Sequence, residues 1–191
     1  IVLVNGYLDG LAAPFFSVDD RAAMALAVKH LTALGHRRVG LAVGPPRLFP
    51  VVRKVDGFHS AVGAAGDGVS GDVEHSIFSF EGGRSAGDAL IGRGCTGIVC
   101  GSDMMALGVV RAARERGLTV PHDVAVVGFD DSPLIAFTDP PLTTIRQPVA
   151  AMGAAAVHAL LDAIAGAHPP TGEFVFQPEL VVRDSTAALA R

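Results

Sequence analysis

Unbroken apolar runs that alternate with helical patterns restrict the fold of this chain more than any other feature. VGLAV (39–43), GIVCG (97–101) and VAVVG (124–128) each read as a short strand without a polar position. Such strands are typically buried on both faces, and the segments between them have helical periodicity. The β-α-β-α order predicts an α/β fold in which helices flank a parallel sheet.

The remaining segments extend the same pattern. Further strands are predicted at 1–4, 15–18 and 76–80, and GEFVFQPELVVR (172–183) predicts two short strands separated at Pro178. Cap residues and apolar stripes predict helices over 19–34, from 51 onward, and over 83–91, 103–116 and 148–166. The helix at 148–166 carries an apolar stripe along one side.

Polar side chains follow several of these strands at their carboxyl ends, where open parallel sheets bind ligands. Carboxylates, an amide, a hydroxyl, cations and an aromatic ring together suit a small polyhydroxylated or heterocyclic ligand. The candidates from the residues alone are Asn5, Arg53, Lys54, Phe80, Glu81, Ser102, Asp103, Asp130 and Asp131.

Each candidate also has a purely structural explanation. Either aspartate of the pair Asp130–Asp131 can cap the turn that follows, and Ser102 is a good helix cap. Phe80 can be a core residue, and Arg53 can be a solvated surface cation. The functional interpretation rests on their shared position at one predicted edge of one sheet.

Composition narrows the function classes. The net charge of −4 and the pI of about 5.9 offer no basic field for a phosphate backbone, so these residues are not expected to bind nucleic acid. The seven histidines are scattered and Cys95 and Cys100 have neither zinc-site nor CxxC spacing, so no metal site is predicted and a reduced, cytoplasmic protein is expected.

No apolar stretch reaches the roughly 18 residues that span a bilayer, and IVLVNGYLDG has no signal-peptide pattern. Because this segment starts in mid-strand, we expect a fragment of a longer protein. GxGxxG, GxxxxGK[ST] and GxSxG motifs are absent from the sequence, and adjacent carboxylates in an extended segment diverge. We therefore predict a protein without a cofactor that is not an enzyme.

Several longer segments together resemble the effector-binding part of the lactose-repressor (LacI/GalR) family of bacterial transcription regulators. The run from GIVCGSDMMALG to PVAAMG (97–153) resembles it closely, and its segments GLTVPHDVAVVGFDD and PPLTTIRQP are highly specific. VDDRAAMALAVKHLTALGHRRVGLAVGP (18–45), KVDGF (54–58), FSFEGGRSA (78–86) and PELVVRDSTA (178–187) continue the resemblance over nearly the whole chain.

The resemblance implies a two-lobed, type I periplasmic-binding-protein-like fold, with most of the N-terminal lobe and the helix-turn-helix lying outside this chain. It assigns residues 1–14 to a remnant of the N-terminal lobe and 15–142 to the C-terminal, effector-binding lobe. It assigns residues 143–170 to a crossover with an N-lobe-type helix. It assigns residues 171–191 to the final strands of the C-terminal lobe and the tail. DNA would be bound only through the helix-turn-helix, and a homodimer is expected.

The resemblance also implies effector contacts at individual positions: Asn5, Lys54 or Arg53, the aromatic Phe80, Ser102, Asp130, and Gln147 at the lobe crossover. The sequence departs from the family where an arginine usually stands, because this position is Lys54, preceded by Arg53. Either Lys54 contacts the ligand as a point charge or a loop shift brings Arg53 in. The expected function is sensing of a sugar-like effector by a repressor, and the alternative is a solute-binding protein of a sugar transporter.

Overall fold

The computed structural model describes residues 1–7, 10–167 and 170–189. Along the chain the strands are β1 (Leu3–Val4), β2 (Pro14–Val18), β3 (Arg38–Val43), β4 (Ser70–His75), β5 (Gly97–Cys100), β6 (Ala125–Asp130), β7 (Thr143–Arg146), β8 (Gly172–Phe176) and β9 (Glu179–Val181). The helices are α1 (Asp20–Ala33), α2 (Phe49–Ala64), α3 (Phe80–Gly92), α4 (Asp103–Glu115) and α5 (Val149–Ile164).

The strands form two sheets. The larger sheet has the order β4-β3-β5-β6-β7-β9, and all its pairings are parallel except β7 with β9. The smaller sheet is parallel throughout, with the order β1-β2-β8. The predicted α/β architecture with a mostly parallel sheet is therefore confirmed.

Helices cover both faces of the larger sheet. Met24 and Leu31 of α1 and Phe58 of α2 are buried in one core with Leu41 and Val127 of the sheet. On the opposite face, Leu90 of α3 and Met105 of α4 lie in a second core that includes Ile98 and Val126. The unbroken apolar strands follow from this arrangement, because alternate residues of each strand enter different cores.

The chain passes between the two sheets three times: after β2, after β7 and after β8. The strand pairing differs from what the predicted division of the chain would suggest. β2 lies beside β1 and not in the larger sheet, β7 (143–146) belongs to the larger sheet, and β8 pairs with β2. An apolar run shows that a strand is buried but does not identify its neighbour. That the two sheets represent two lobes stays a prediction.

The strand predicted at 76–80 is wrong. β4 ends at His75, Ser79 caps α3 through a hydrogen bond from the Gly82 N–H to its Oγ (3.0 Å), and Phe80 is the first helical residue. β4 is an edge strand whose residues SGDVEH are at most partly buried, so its sequence lacks an apolar run.

α5 packs on the smaller sheet through Met152 and Ala156, which are buried. Other apolar residues of the same helix, Val157, Leu161 and Ile164, are exposed. Among the helices of the described residues, none combines the length and apolarity that crossing a bilayer requires.

Candidate functional site

A cavity of about 460 Å³ lies where the carboxyl ends of the larger sheet meet the smaller sheet. The segments after β2 and after β7, which connect the two sheets, contribute side chains to the cavity lining. The loops after β1 and β5 and the end of β6 contribute the others from strand ends. The lining residues are Asn5, Val18, Asp20, Leu48, Pro50, Val51, Lys54, Phe78, Gly101, Ser102, Met104, Phe129, Asp130 and Gln147. Of the predicted contacts, this cavity brings together Asn5, Lys54, Ser102, Asp130 and Gln147.

A chain of hydrogen bonds crosses this cavity from the smaller sheet to the larger one. The Asn5 amide donates to Gln147 Oε1 (3.2 Å), and the Gln147 amide donates to Asp130 Oδ1 (2.7 Å). Asn5 follows β1, whereas Asp130 ends β6, and Gln147 lies on the crossing between them. A ligand that bonds to any of these groups thus contacts the connection between the two sheets.

Backbone strain is concentrated at the same place. Asn5 has φ +51°, Asp130 has φ +122° and Asp131 has φ +57°, values that L-residues rarely adopt. They are the only non-glycine residues with positive φ in the described part of the chain. Strained backbone of this kind persists where the surroundings fix a side chain for function, which supports the assignment of Asn5 and Asp130 to the site.

The Asp130 carboxylate has an altered acidity. Burial by the surrounding protein raises the pKa of Asp130 to about 6, and the hydrogen bond from Gln147 only partly opposes that effect. The nearby carboxylate of Asp103 contributes to this increase, and the ammonium of Lys54 opposes it. A carboxylate in such surroundings gains from a ligand hydroxyl that replaces lost hydration.

Lys54 meets the cavity as one member of a buried ion pair. Its Nζ donates to Asp20 Oδ1 and lies 3.9 Å from the ring centroid of Phe129. Both charged side chains are nearly inaccessible to solvent, with 6% and 4% exposure. The cation–π contact and the ion pair together fix the ammonium against the cavity wall.

Arg53, the neighbouring residue, points elsewhere. Its guanidinium binds both oxygens of Glu173 on β8, with Nη2 2.7 Å from Oε2, and stacks over the Phe49 ring. Of the two cations that the sequence left open, Lys54 therefore lines the cavity, while Arg53 connects α2 to the smaller sheet. Successive helical residues point about 100° apart, which directs Arg53 away from the side of α2 that carries Lys54.

The aromatic residue that lines the cavity is Phe78 and not Phe80. Phe78 lines the cavity, and its ring lies against Gly44 and Gly101, where an added Cβ would come within 2.1 Å and 3.1 Å of ring atoms. Phe80 begins α3 and is not part of the lining. The predicted placement of Phe80 is corrected because it depended on the wrongly placed strand at 76–80.

Ser102 caps a helix and also lines the cavity. Its Oγ accepts a hydrogen bond from the Met105 N–H (3.2 Å) as the cap of α4, and it lines the cavity. Asp103 is structural: its buried carboxylate accepts from Thr144 Oγ1 (2.6 Å) and from the Ser132 N–H (2.8 Å) and Oγ (2.7 Å). Burial raises its pKa, and these donors oppose the shift.

Asp131 differs from its neighbour Asp130. It accepts hydrogen bonds from Arg146 Nε (2.6 Å) and Arg183 Nη2 (2.7 Å), outside the cavity. Burial alone would raise the pKa of Asp131, but the two guanidinium groups outweigh it and the net shift is downward. Through these two arginines, Asp131 connects the end of β6 to the end of β7 and to the segment after β9.

Sequence reasoning missed Asp20 and Phe78. Nothing in the sequence distinguishes Asp20 from Asp19, which caps α1 by accepting a hydrogen bond from the Ala22 N–H at its Oδ1 (2.9 Å). For Phe78, the signal was the capping residue Ser79, which places the preceding aromatic residue in a loop at the sheet edge. Within the ranges that the structure describes, no group of His, Cys, Asp and Glu residues could hold a metal ion.

Comparisons with known proteins agree with this geometry. A family model for a periplasmic binding protein-like domain matches residues 28–186. The HTH-type transcriptional regulator MalR of Streptomyces coelicolor is 61% identical over 192 residues, covering 98% of this chain and 56% of that protein. The chain spans about half the length of the curated relatives it matches.

Solved structures give the same result. A LacI family transcriptional regulator from Enterococcus faecium with bound ribose superposes with a TM-score of 0.90 at 26% identity, covering 99% of this chain and 71% of that one. A dimeric Lac repressor superposes with a TM-score of 0.88 at 28% identity, covering 99% of this chain and 69% of that one. The chain therefore belongs to the periplasmic-binding-protein-like domain family, in the form found in LacI-family transcriptional regulators.

Proposed function

We propose that this chain is the effector-sensing part of a transcriptional regulator, in which a sugar-like ligand bound in the cavity controls operator binding by a helix-turn-helix outside the chain. The observation that carries the proposal is the hydrogen-bonded chain Asn5–Gln147–Asp130. It joins two sheets at the segment that runs between them. A ligand with different affinity for two arrangements of the sheets shifts the population between them, which is the requirement for allosteric control.

The cavity chemistry supports a polyhydroxylated ligand. Asp130, Gln147 and Asn5 supply acceptors and donors for hydroxyl groups, and Phe78 offers an aromatic face for the apolar side of a pyranose or a base. The structural relative from Enterococcus faecium contains ribose. The lining therefore fits binding and orientation of a sugar, and we infer a sensor and not an enzyme.

The regulator would act in the cytoplasm as a homodimer, because DNA is its target and a structural relative is a dimeric Lac repressor. The net charge of −4 supports DNA binding through residues outside this chain. Leu134 and Phe137 provide a candidate contact surface, since they are 78% and 86% exposed on a short helical turn anchored by buried Ile135. Large exposed apolar side chains that lie together are typical of protein interfaces.

A thermal-shift screen of sugars and nucleosides on the full-length protein tests the ligand class. Titration calorimetry with the best ligand then compares Phe78→Ala with Phe80→Ala. Loss of an aromatic face that stacks on the ligand is expected to weaken binding about tenfold in the first variant, and the second should bind like the wild type. Equal affinities in both variants, or no ligand in the screen, would contradict the proposal.

Fluorescence anisotropy with a labelled upstream operator fragment tests the regulatory part. A ligand that binds the cavity should change the operator affinity of the wild type. It should not change the operator affinity of Asp130→Ala at the same ligand concentration. A ligand effect of the same size in both proteins would show that the sensing site lies elsewhere.

A further inference from the structure

The positive charges near the cavity are already neutralised by the protein. Lys54 is paired with Asp20, and Arg53 is paired with Glu173 outside the lining. Arg47, in the loop before α2, is exposed and does not line the cavity. Among the described residues, the cavity therefore presents no cation that lacks a counter-charge of its own.

The charged residues that line the cavity give it a net negative charge. They are Asp20, Lys54 and Asp130, two carboxylates against one ammonium. The N-terminus of α4, which meets the cavity at Ser102, would favour an anion by its dipole. However, the first turn of that helix already carries the buried carboxylate of Asp103, which offsets the dipole.

We propose that the cavity selects uncharged polyhydroxylated ligands over phosphorylated or carboxylated ones, and that Asp20 sets this selectivity by occupying Lys54. The proposal deepens the proposed function and rests on it, since it concerns the effector of the same cavity. Asp20 is a positioning residue: it acts through the ammonium that it holds and not by reaching the ligand's charge.

The physical cost explains the selectivity. An anionic ligand would have to approach Asp130 without a free cation to compensate, or else take Lys54 away from Asp20. Removing one partner of a buried ion pair leaves the other charge buried and uncompensated, which is strongly unfavourable. A neutral hydroxyl avoids both costs, because it can donate to Asp130 while the Lys54–Asp20 pair stays intact.

Matched ligand pairs test the proposal by calorimetry on the full-length protein. The probes are ribose with ribose 5-phosphate, glucose with glucose 6-phosphate, and cytidine with cytidine 5′-monophosphate. We expect the neutral member of the pair that binds to have at least tenfold higher affinity than its phosphate. This comparison needs only the wild-type protein, so it stands even if a variant fails to fold.

Asp20→Asn should invert or strongly reduce the preference. The substitution keeps the shape of the side chain but removes the counter-charge, so Lys54 becomes free to bind a phosphate. A charge-assisted hydrogen bond of this kind is expected to raise the affinity for the phosphate, relative to the neutral member, about tenfold or more.

Glu173→Gln is the matched control. It removes the counter-charge of Arg53, the neighbouring cation on the same helix, but outside the cavity. The ratio of the two affinities should stay at the wild-type value. The double variant Asp20→Asn with Lys54→Met carries neither charge of the pair and should keep the preference for the neutral ligand.

The outcomes separate the two proposals. A wild type that binds a phosphate as tightly as its neutral partner overturns the selectivity while leaving a sensing cavity intact. A folded Asp20→Asn protein whose affinity ratio changes less than threefold also overturns it. If no member of any pair binds, the proposed sugar-sensing function itself fails, and the selectivity fails with it.

Discussion

The acidity of Asp130 gives a quantitative pH dependence for ligand binding. Its pKa of about 6 means that the carboxylate is about 90% ionised at pH 7 and about 10% ionised at pH 5. If the ligand hydroxyl binds the ionised form, affinity should fall about tenfold between these two pH values. Asp130→Asn cannot ionise, so its affinity should be lower at pH 7 and nearly independent of pH over this range.

Stability without ligand should change in the opposite direction. The pKa of Asp130 is raised in the folded protein, so ionisation disfavours folding. The contribution of this group to stability is complete below about pH 4 and is lost as the pH rises through about 6. At pH 7.5 the ligand-free Asp130→Asn protein should therefore unfold at the wild-type temperature or slightly above it.

Calorimetry at pH 5, 6, 7 and 8 measures the binding profile of the wild type and of Asp130→Asn. Asp20, Lys54 and Asp103 also lie near this carboxylate, and because they remain in the variant, the difference between the two profiles reports Asp130. Asp67→Asn, in an exposed loop, is the control and should follow the wild-type profile. A wild-type affinity that changes less than threefold between pH 5 and 7 would refute the assignment, as would a tenfold decrease that persists in Asp130→Asn.

Two further predictions concern stability and assembly. Gly83→Ala places a Cβ 2.1 Å from Met105 O between α3 and α4, so it should destabilise the protein by about 1–3 kcal/mol or more in urea unfolding. Gly63 lies within α2, and nothing in the described structure is within 4 Å of the Cβ that Gly63→Ala would add. This variant should therefore stabilise the protein by about 0.5–1 kcal/mol. Equal effects of Gly83→Ala and Gly63→Ala would contradict the close packing of α3 on α4. Phe137 is 86% exposed and belongs to the proposed dimer contact. Phe137→Asp places a charge in that contact, so it should convert a dimer into a monomer in analytical ultracentrifugation. A variant that remains dimeric would exclude this surface.

The sequence by itself determined most of the element order, although not β4 or β7, and the edge at which the cavity lies. Apolar runs and capping residues such as Ser102 are local signals, and Ser102 caps α4 in the structure as predicted. Because the parallel strands of one sheet all direct their carboxyl ends to one edge, the polar residues Ser102 and Asp130, at the ends of β5 and β6, could be placed together before any coordinates. Local interactions and chain direction were sufficient for these conclusions.

The tertiary structure decided which side chains the cavity uses and which sheet each strand joins. β2 and β8 could be assigned to the smaller sheet only from their pairing. Residues that are adjacent in the sequence also have different partners in the structure. Lys54 faces the cavity, whereas Arg53 binds Glu173. Asp130 faces the cavity, whereas Asp131 binds two arginines. The partners lie up to 120 residues away, as Glu173 does from Arg53. The type of a residue shows which contacts it can make, but only the folded chain brings one particular partner within reach.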